Sequence, residues 1–176
     1  VLSGVVERMG LAGNAVVLIS WIAPSVVLLS RQSWFLRNPL SQRWLVGLQI
    51  VRIIGGAFLI EMARGHIPGS FAFPAGVGDI LVGVVALAIL LRQPRDRPLS
   101  TAAVYAVAAI GILDFVSAMF FGMTSAAGPL QLFAHGSDNQ LLMFPTGLIP
   151  LFLVPYAIFF HTLSLLSLRK SEHRRS

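Results

Sequence analysis

Four ionisable residues fall inside long apolar stretches of this chain: Arg52, Asp79, Asp114 and His161. Such groups are costly in lipid, so they turn toward protein or water and pair with one another. One arginine with two aspartates has two chemical uses. It can lock helices together as a buried ion cluster, or it can hold or move a charged ligand or a proton. Gln49, one turn before Arg52, belongs to the same polar set. His161 has two readings of its own. It could be an axial ligand to a haem-like macrocycle, or a core histidine bonded to a backbone carbonyl freed by a nearby proline. The macrocycle reading lacks a second strong ligand within a span, because Met119, Met123 and Met143 fall at or near one side of the membrane.

A second polar group, Glu61, His66, His135 and Asp138, lies in or beside loops on what is read below as the outer side. A metal site would need three or four of these to converge, and no ligand spacing such as H-E-x-x-H supports that. Glu61 is expected at the surface, paired with Arg64 at i+3 or with nothing. The G-V-G-D run at Gly76–Asp79 lacks the lysine and the preceding strand of a phosphate loop. No Ser/His/Asp arrangement has the context of a nucleophile elbow, and with no cysteine there is no thiol chemistry or disulfide. No catalytic residue and no cofactor is assigned, and an enzyme is not the expected class.

The elements that must position these groups follow from composition. The 176 residues are 56% hydrophobic and 11% charged, with mean hydropathy +0.80. A soluble domain carries roughly 25% charged residues, so the chain belongs to the membrane class. The expectation is an all-α integral membrane protein forming one domain over residues 1–176. It has about five transmembrane helices, at about 7–30, 42–63, 75–91, 99–123 and 141–168. The first apolar run is too long for a signal-peptide core of ~7–15 residues and ends in no small-x-small site, so it reads as a retained span. Met removal before a small residue would explain a start at Val1.

Helix 2 places Arg52 roughly 14 Å from its start at ~1.5 Å per residue, near mid-membrane. The stretch from Arg64 to Ala75, with Pro68, Gly69 and Pro74, reads as a loop whose Phe71 and Phe73 dip into the interface. The stretch 124–140 reads as an interfacial loop or short surface helix in which Leu130, Leu132 and Phe133 touch lipid. Pro145, Pro150 and Pro155 should kink or partly unwind the first half of helix 5.

Neighbours at i±3 and i±4 report which face each charge occupies. Arg52 shares its face with Gln49, Gly55 and Gly56. Asp79 shares its face with Gly76 and Gly83, and Asp114 with Gly111, Ser117 and Ala118. Small residues let membrane helices approach closely, so all three charges should point into the bundle. Ten of the thirteen basic residues lie in the 31–43 loop, the 92–97 loop and the tail after Leu168. With five spans these fall on one side, which puts the C-terminus in the cytoplasm and the N-terminus outside. Trp34 and Trp44 flank the first basic loop at headgroup level. The basic tail suits anionic lipid rather than nucleic acid.

The segment RIIGGAFL…GHIPGSFAFPAGVGDILVG (52–83) and the ending FPTGLIPLFLVPYAIFFH (144–161) resemble an uncharacterised family of small multi-pass inner-membrane proteins of bacteria. The resemblance implies a bacterial inner (cytoplasmic) membrane location and carries no activity. Two functions remain open from sequence. One is a non-catalytic integral membrane subunit that packs with other membrane proteins, lipid or a hydrophobic cofactor. The other is a small transporter or proton-coupled binding protein that uses the Arg/Asp cluster.

Overall fold

The computed structural model describes residues 11–127, 130–137 and 139–173, and among them every regular element is helical. Helix α1 spans Leu11–Ser30, and a single turn, α2, spans Gln32–Phe35. A continuous helical rod follows in three pieces: α3 (Gln42–Gly47), a 3-10 segment (Leu48–Gly56) and α4 (Ala57–Ala63). Then come α5 (Gly69–Arg92), α6 (Thr101–Ser125), a π-helical segment (Ile149–Leu153) and α7 (Val154–His173). Four stretches are long and apolar enough to cross a membrane: Gln42–Ala63, Gly69–Arg92, Thr101–Ser125 and Ile149–Ser171. The apolar part of α1, Ala15–Ser30, is shorter.

Glycines set how the rod and α5 meet. Gly47 lies against Leu90, Gly83 against Ile53, Gly76 against Leu59 and Gly69 against Met62. The two therefore run antiparallel along their whole length. A Cβ on Gly76 would come 2.9 Å from Leu59 Cγ, and one on Gly83 2.6 Å from Ile53 Cγ1. That closeness needs glycine at both positions. Helix α6 returns antiparallel on the other side of α5, with the Ser70 and Ser125 hydroxyls 2.8 Å apart. Helix α1 packs on α7, and both run in the same direction. Trp21 reaches Pro150, Ser25 faces Thr162, and Leu36 meets Lys170.

Three boundaries differ from the sequence reading, each for a physical reason. Helix α5 starts at Gly69, not Ala75. Pro68 is its N-cap at φ −65°, and the Phe71 and Ala72 amides both donate to the Pro68 carbonyl. Pro74 is accepted close to the helix start, where it removes a single backbone bond. Phe71 is consequently buried in the core, and only Phe73 is exposed. Helix α6 is shifted to Thr101–Ser125, because Ser100 Oγ accepts from the Ala103 amide as its N-cap. The last span does not begin at Leu141. Residues 141–147 form turns, the π segment carries Pro150, and regular α geometry begins only at Val154. The expected weakness of this proline-rich half thus takes the form of turns and a π segment. One carbonyl there, that of Pro150, accepts from Trp21 Nε1 at 2.6 Å, as irregular backbone at membrane depth requires.

The first expected span is described as a helix from Leu11, and its first residues lie outside the described part. The 126–140 stretch contains no helix among its described residues. It folds back on α6, where the Leu132 and Phe133 amides both donate to the Thr124 carbonyl. Leu130, Leu132 and Phe133 are exposed.

Basic side chains gather at one end of the bundle. Arg43 donates to the Gln93 carbonyl at 2.9 Å and to that of Pro94, closing the C-terminus of α5. Lys170 Nζ donates to the Leu36 carbonyl at 2.8 Å. Trp34 and Trp44 are exposed at this same end. Glu61, Arg64 and His66 lie at the other end, where the Gln140 amide donates to the His66 carbonyl at 2.8 Å.

Candidate functional site

The rod presents its polar residues through an unusual backbone. A 3-10 helix has three residues per turn and seldom runs beyond 3–4 residues; here it runs nine, Leu48–Gly56. From Val46 onward the buried positions along the rod are Val46, Gln49, Arg52, Gly55 and Phe58, every third residue, with Leu45 buried beside Val46 in the α3 turn. In an α-helix, at about 100° per residue, Gln49 and Phe58 would face opposite sides. The 3-10 ladder puts them on one stripe. It also explains why Gly56, expected on the Arg52 face, turns instead toward Ile80.

Arg52 is the hub of this stripe, with its side chain 3% exposed. Its Nε donates to Asp79 Oδ1 at 2.7 Å, and its Nη2 donates to Asp114 Oδ2. Its Nη1 faces the Gly111 carbonyl at 3.5 Å, and its Cζ lies 4.0 Å from the centroid of the Phe115 ring. The rod, α5 and α6 thus meet at one guanidinium held by two carboxylates and an aromatic face. Glycines make room for it. A Cβ on Gly55 would fall on the Asp79 carboxylate, and one on Gly78 on that of Asp114. On Gly111 it would collide with the His161 imidazole.

Three buried polar atoms around this hub have no hydrogen-bond partner among the described residues: Gln49 Oε1, Asp114 Oδ1 and His161 Nε2. Gln49 uses only its amide nitrogen, which faces the Ala157 carbonyl at 3.4 Å. The expectation that His161 bonds a proline-freed carbonyl is not met at Nε2; that nitrogen abuts Gly111 and Arg52. Buried polar groups are nearly always paired, so three unpaired atoms in one cluster mark a place that water or a ligand completes.

A cavity of about 230 Å³ lies directly beside the hub. Asp79 and Asp114 form its polar end. Its walls are Trp21 and Val17 from α1, Phe58 from α4, Phe71 from α5, Phe115 and Met119 from α6, and Val154 from α7. Ser137, Asn139 and Leu142 lie at its far end, in the stretch that joins α6 to the π segment. The cavity therefore runs from the ion cluster toward the end of the bundle opposite the basic residues.

The family model for a domain of unknown function, DUF8737, matches residues 9–169. The chain belongs to that family. Comparison with curated proteins and with solved structures returned no match.

All five residues of the inner polar set are buried; Arg52, Asp79, Asp114 and His161 come together, and Gln49 lies one 3-10 turn before Arg52, facing the Ala157 carbonyl. Of the outer set, Glu61 and His66 come together. Glu61 binds both Arg64 Nη1 at 2.8 Å and His66 Nδ1 at 2.7 Å. His135 is exposed in the 130–137 loop, and Asp138 lies outside the described residues. Among the described residues no three His, Asp or Glu side chains gather as metal ligands. Residues not assigned to the site from sequence complete it: Phe115 under the guanidinium, Gly78 against Asp114, and the walls Trp21, Phe58 and Phe71, the last expected at the interface. The spacing of three from Gln49 to Phe58 was the available signal for the 3-10 stripe. Nothing local marks Trp21, because it reaches the site only through the packing of α1 on α7.

Proposed function

We propose that this protein is a small transporter or proton-coupled binding protein of the bacterial inner membrane, and that the cavity beside Arg52, Asp79 and Asp114 is its ligand site. One observation carries this reading. A cavity of about 230 Å³ with aromatic walls ends on two carboxylates, and Asp114 keeps an oxygen without a partner. A cluster used only to fix helix packing needs no cavity at its edge. Apolar pockets with a few convergent polar groups are the usual form of small-molecule sites. A broken helix beside them, here the π segment with Pro150, is common where transport sites are lined.

The other reading, a non-catalytic subunit, rests on the small-residue faces, the small size and the lack of a catalytic constellation, and it needs a surface that receives a partner. Gly55, Gly76, Gly78, Gly83 and Gly111 are instead occupied by contacts within this chain. Native mass spectrometry tests that alternative, because a subunit would carry a stoichiometric protein partner.

We further infer five crossings, with α1 as the first. Its 20 residues span ~30 Å at ~1.5 Å each, the thickness of a hydrocarbon core. The basic end then lies in the cytoplasm, together with the C-terminus. A green fluorescent protein fused after Ser176 should fluoresce in cells; a dark fusion that is present in the membrane would reverse the orientation.

The site itself is tested with dicyclohexylcarbodiimide, an apolar reagent that adds the O–H of a protonated carboxyl across its C=N bond and rearranges to a stable acylurea. Peptide mass spectrometry should find the adduct on Asp114, and labelling should fall as pH rises. A purely structural cluster, closed to reagent and to protons, would stay unlabelled in folded protein.

A further inference from the structure

Resting on that reading, we propose that the cavity takes a small protonated amine with an apolar body, and that this ammonium exchanges with a proton on Asp114. The charge balance of the cluster leads there. Arg52 from the 3-10 segment binds Asp114 and also Asp79 from α5, His161 from α7 lies beside Arg52 at Gly111, and α1 contributes Trp21 and no titratable group. One guanidinium stands against two carboxylates, so the cluster accommodates one further positive charge. An uncompensated buried charge is costly, and either a proton or a cation removes that cost.

The shape of the cavity selects among cations. It is too large for a metal ion and offers only two carboxylates, one oxygen of each already held by Arg52. Its volume of about 230 Å³ leaves room for an amine with a phenyl or branched aliphatic body. Trp21, Phe58, Phe71 and Phe115 supply aromatic surface for that body and for the ammonium. Asp114 Oδ1 lies against Gly78, so the ligand meets Asp114 at the narrow polar end of the cavity, where a primary ammonium, slim and carrying N–H groups, fits and a quaternary ammonium does not. In the exchange the Asp114 carboxyl releases its proton to water as the ammonium forms an ion pair with the carboxylate. The amine remains protonated throughout, and no covalent bond to carbon changes.

Of the three tryptophans, Trp34 and Trp44 are exposed and Trp21 lines the cavity. The protein with Trp34→Phe and Trp44→Phe, in nanodiscs, therefore reports the site through Trp21 alone. Titration with phenethylammonium should change Trp21 fluorescence saturably and release about one proton per amine bound in weakly buffered solution. Asp114→Asn should weaken binding by about tenfold or more and abolish the proton release, whereas His161→Asn should leave the release intact. The neutral 2-phenylethanol, the anion 3-phenylpropionate and tetraethylammonium should each bind about tenfold more weakly or worse. Equal binding of the alcohol or the anion, no proton release, or release that depends on His161 instead of Asp114 would overturn the proposal. If Asp114→Asn does not fold, Ala118→Leu, which fills the cavity, must abolish amine binding, and its retention would equally overturn it. If the carbodiimide labels Asp114 but no amine binds, the ligand class is wrong and the site stands. If neither occurs, both readings fall.

Discussion

Replacing Arg52 with methionine tests the hub most directly. The substitution keeps an unbranched side chain of similar reach and removes the charge shared by Asp79 and Asp114. Two charge-assisted contacts disappear, each worth ~1.5–3 kcal/mol when buried, and the guanidinium leaves the face of Phe115. Breaking a buried ion pair by removing one partner costs about 3–5 kcal/mol, which agrees with the sum of those contacts. A loss of ~4 kcal/mol is expected, close to a thousandfold in the folding equilibrium at 1.4 kcal/mol per tenfold. Reversible unfolding by sodium dodecyl sulfate in mixed micelles, followed by circular dichroism, measures it. The companion variant carries Arg52→Met, Asp79→Asn and Asp114→Asn together. With no charge left to strand, it should recover most of the loss, because a whole buried ion cluster can be replaced by neutral groups at little cost. A single variant that loses less than ~1 kcal/mol would refute a dry, buried hub. A triple variant as unstable as the single would refute the assignment of the loss to stranded carboxylates.

Gly78→Ala and Gly55→Ala each drive a methyl onto a carboxylate of the cluster, so each should lose ~1–3 kcal/mol in the same unfolding assay. Gly47→Ala, whose Cβ would only touch Leu90 at 3.4 Å, should stay within ~0.5 kcal/mol; equal losses at all three would argue against close packing as the cause. Trp21→Phe strands the Pro150 carbonyl at the π segment and should destabilise by ~1–3 kcal/mol, with faster amide exchange over 149–153 as its local signature. Gln42→Leu removes the acceptor of the buried Ser164 hydroxyl and should cost ~1 kcal/mol; adding Ser164→Ala should restore part of it, and no restoration would mean that the pair contributes nothing.

The charge and hydropathy pattern alone determined that this chain is helical and of membrane composition, that Arg52, Asp79 and Asp114 face inward, and that the small residues beside them are contact positions. These properties are local. A span is a run of apolar residues, and a face is a spacing along one helix. The tertiary structure decided what local spacing cannot encode. It chose a 3-10 backbone for Leu48–Gly56, which lines up Gln49, Arg52, Gly55 and Phe58 against the glycines of α5. It started α5 at Gly69, behind the Pro68 cap, and buried Phe71. It set Phe115 beneath the guanidinium, left three polar atoms without partners, and brought Trp21 from the first helix to the wall of the cavity. A cavity is the space that several helices fail to fill together, so its existence depends on their mutual packing and on no single stretch of sequence.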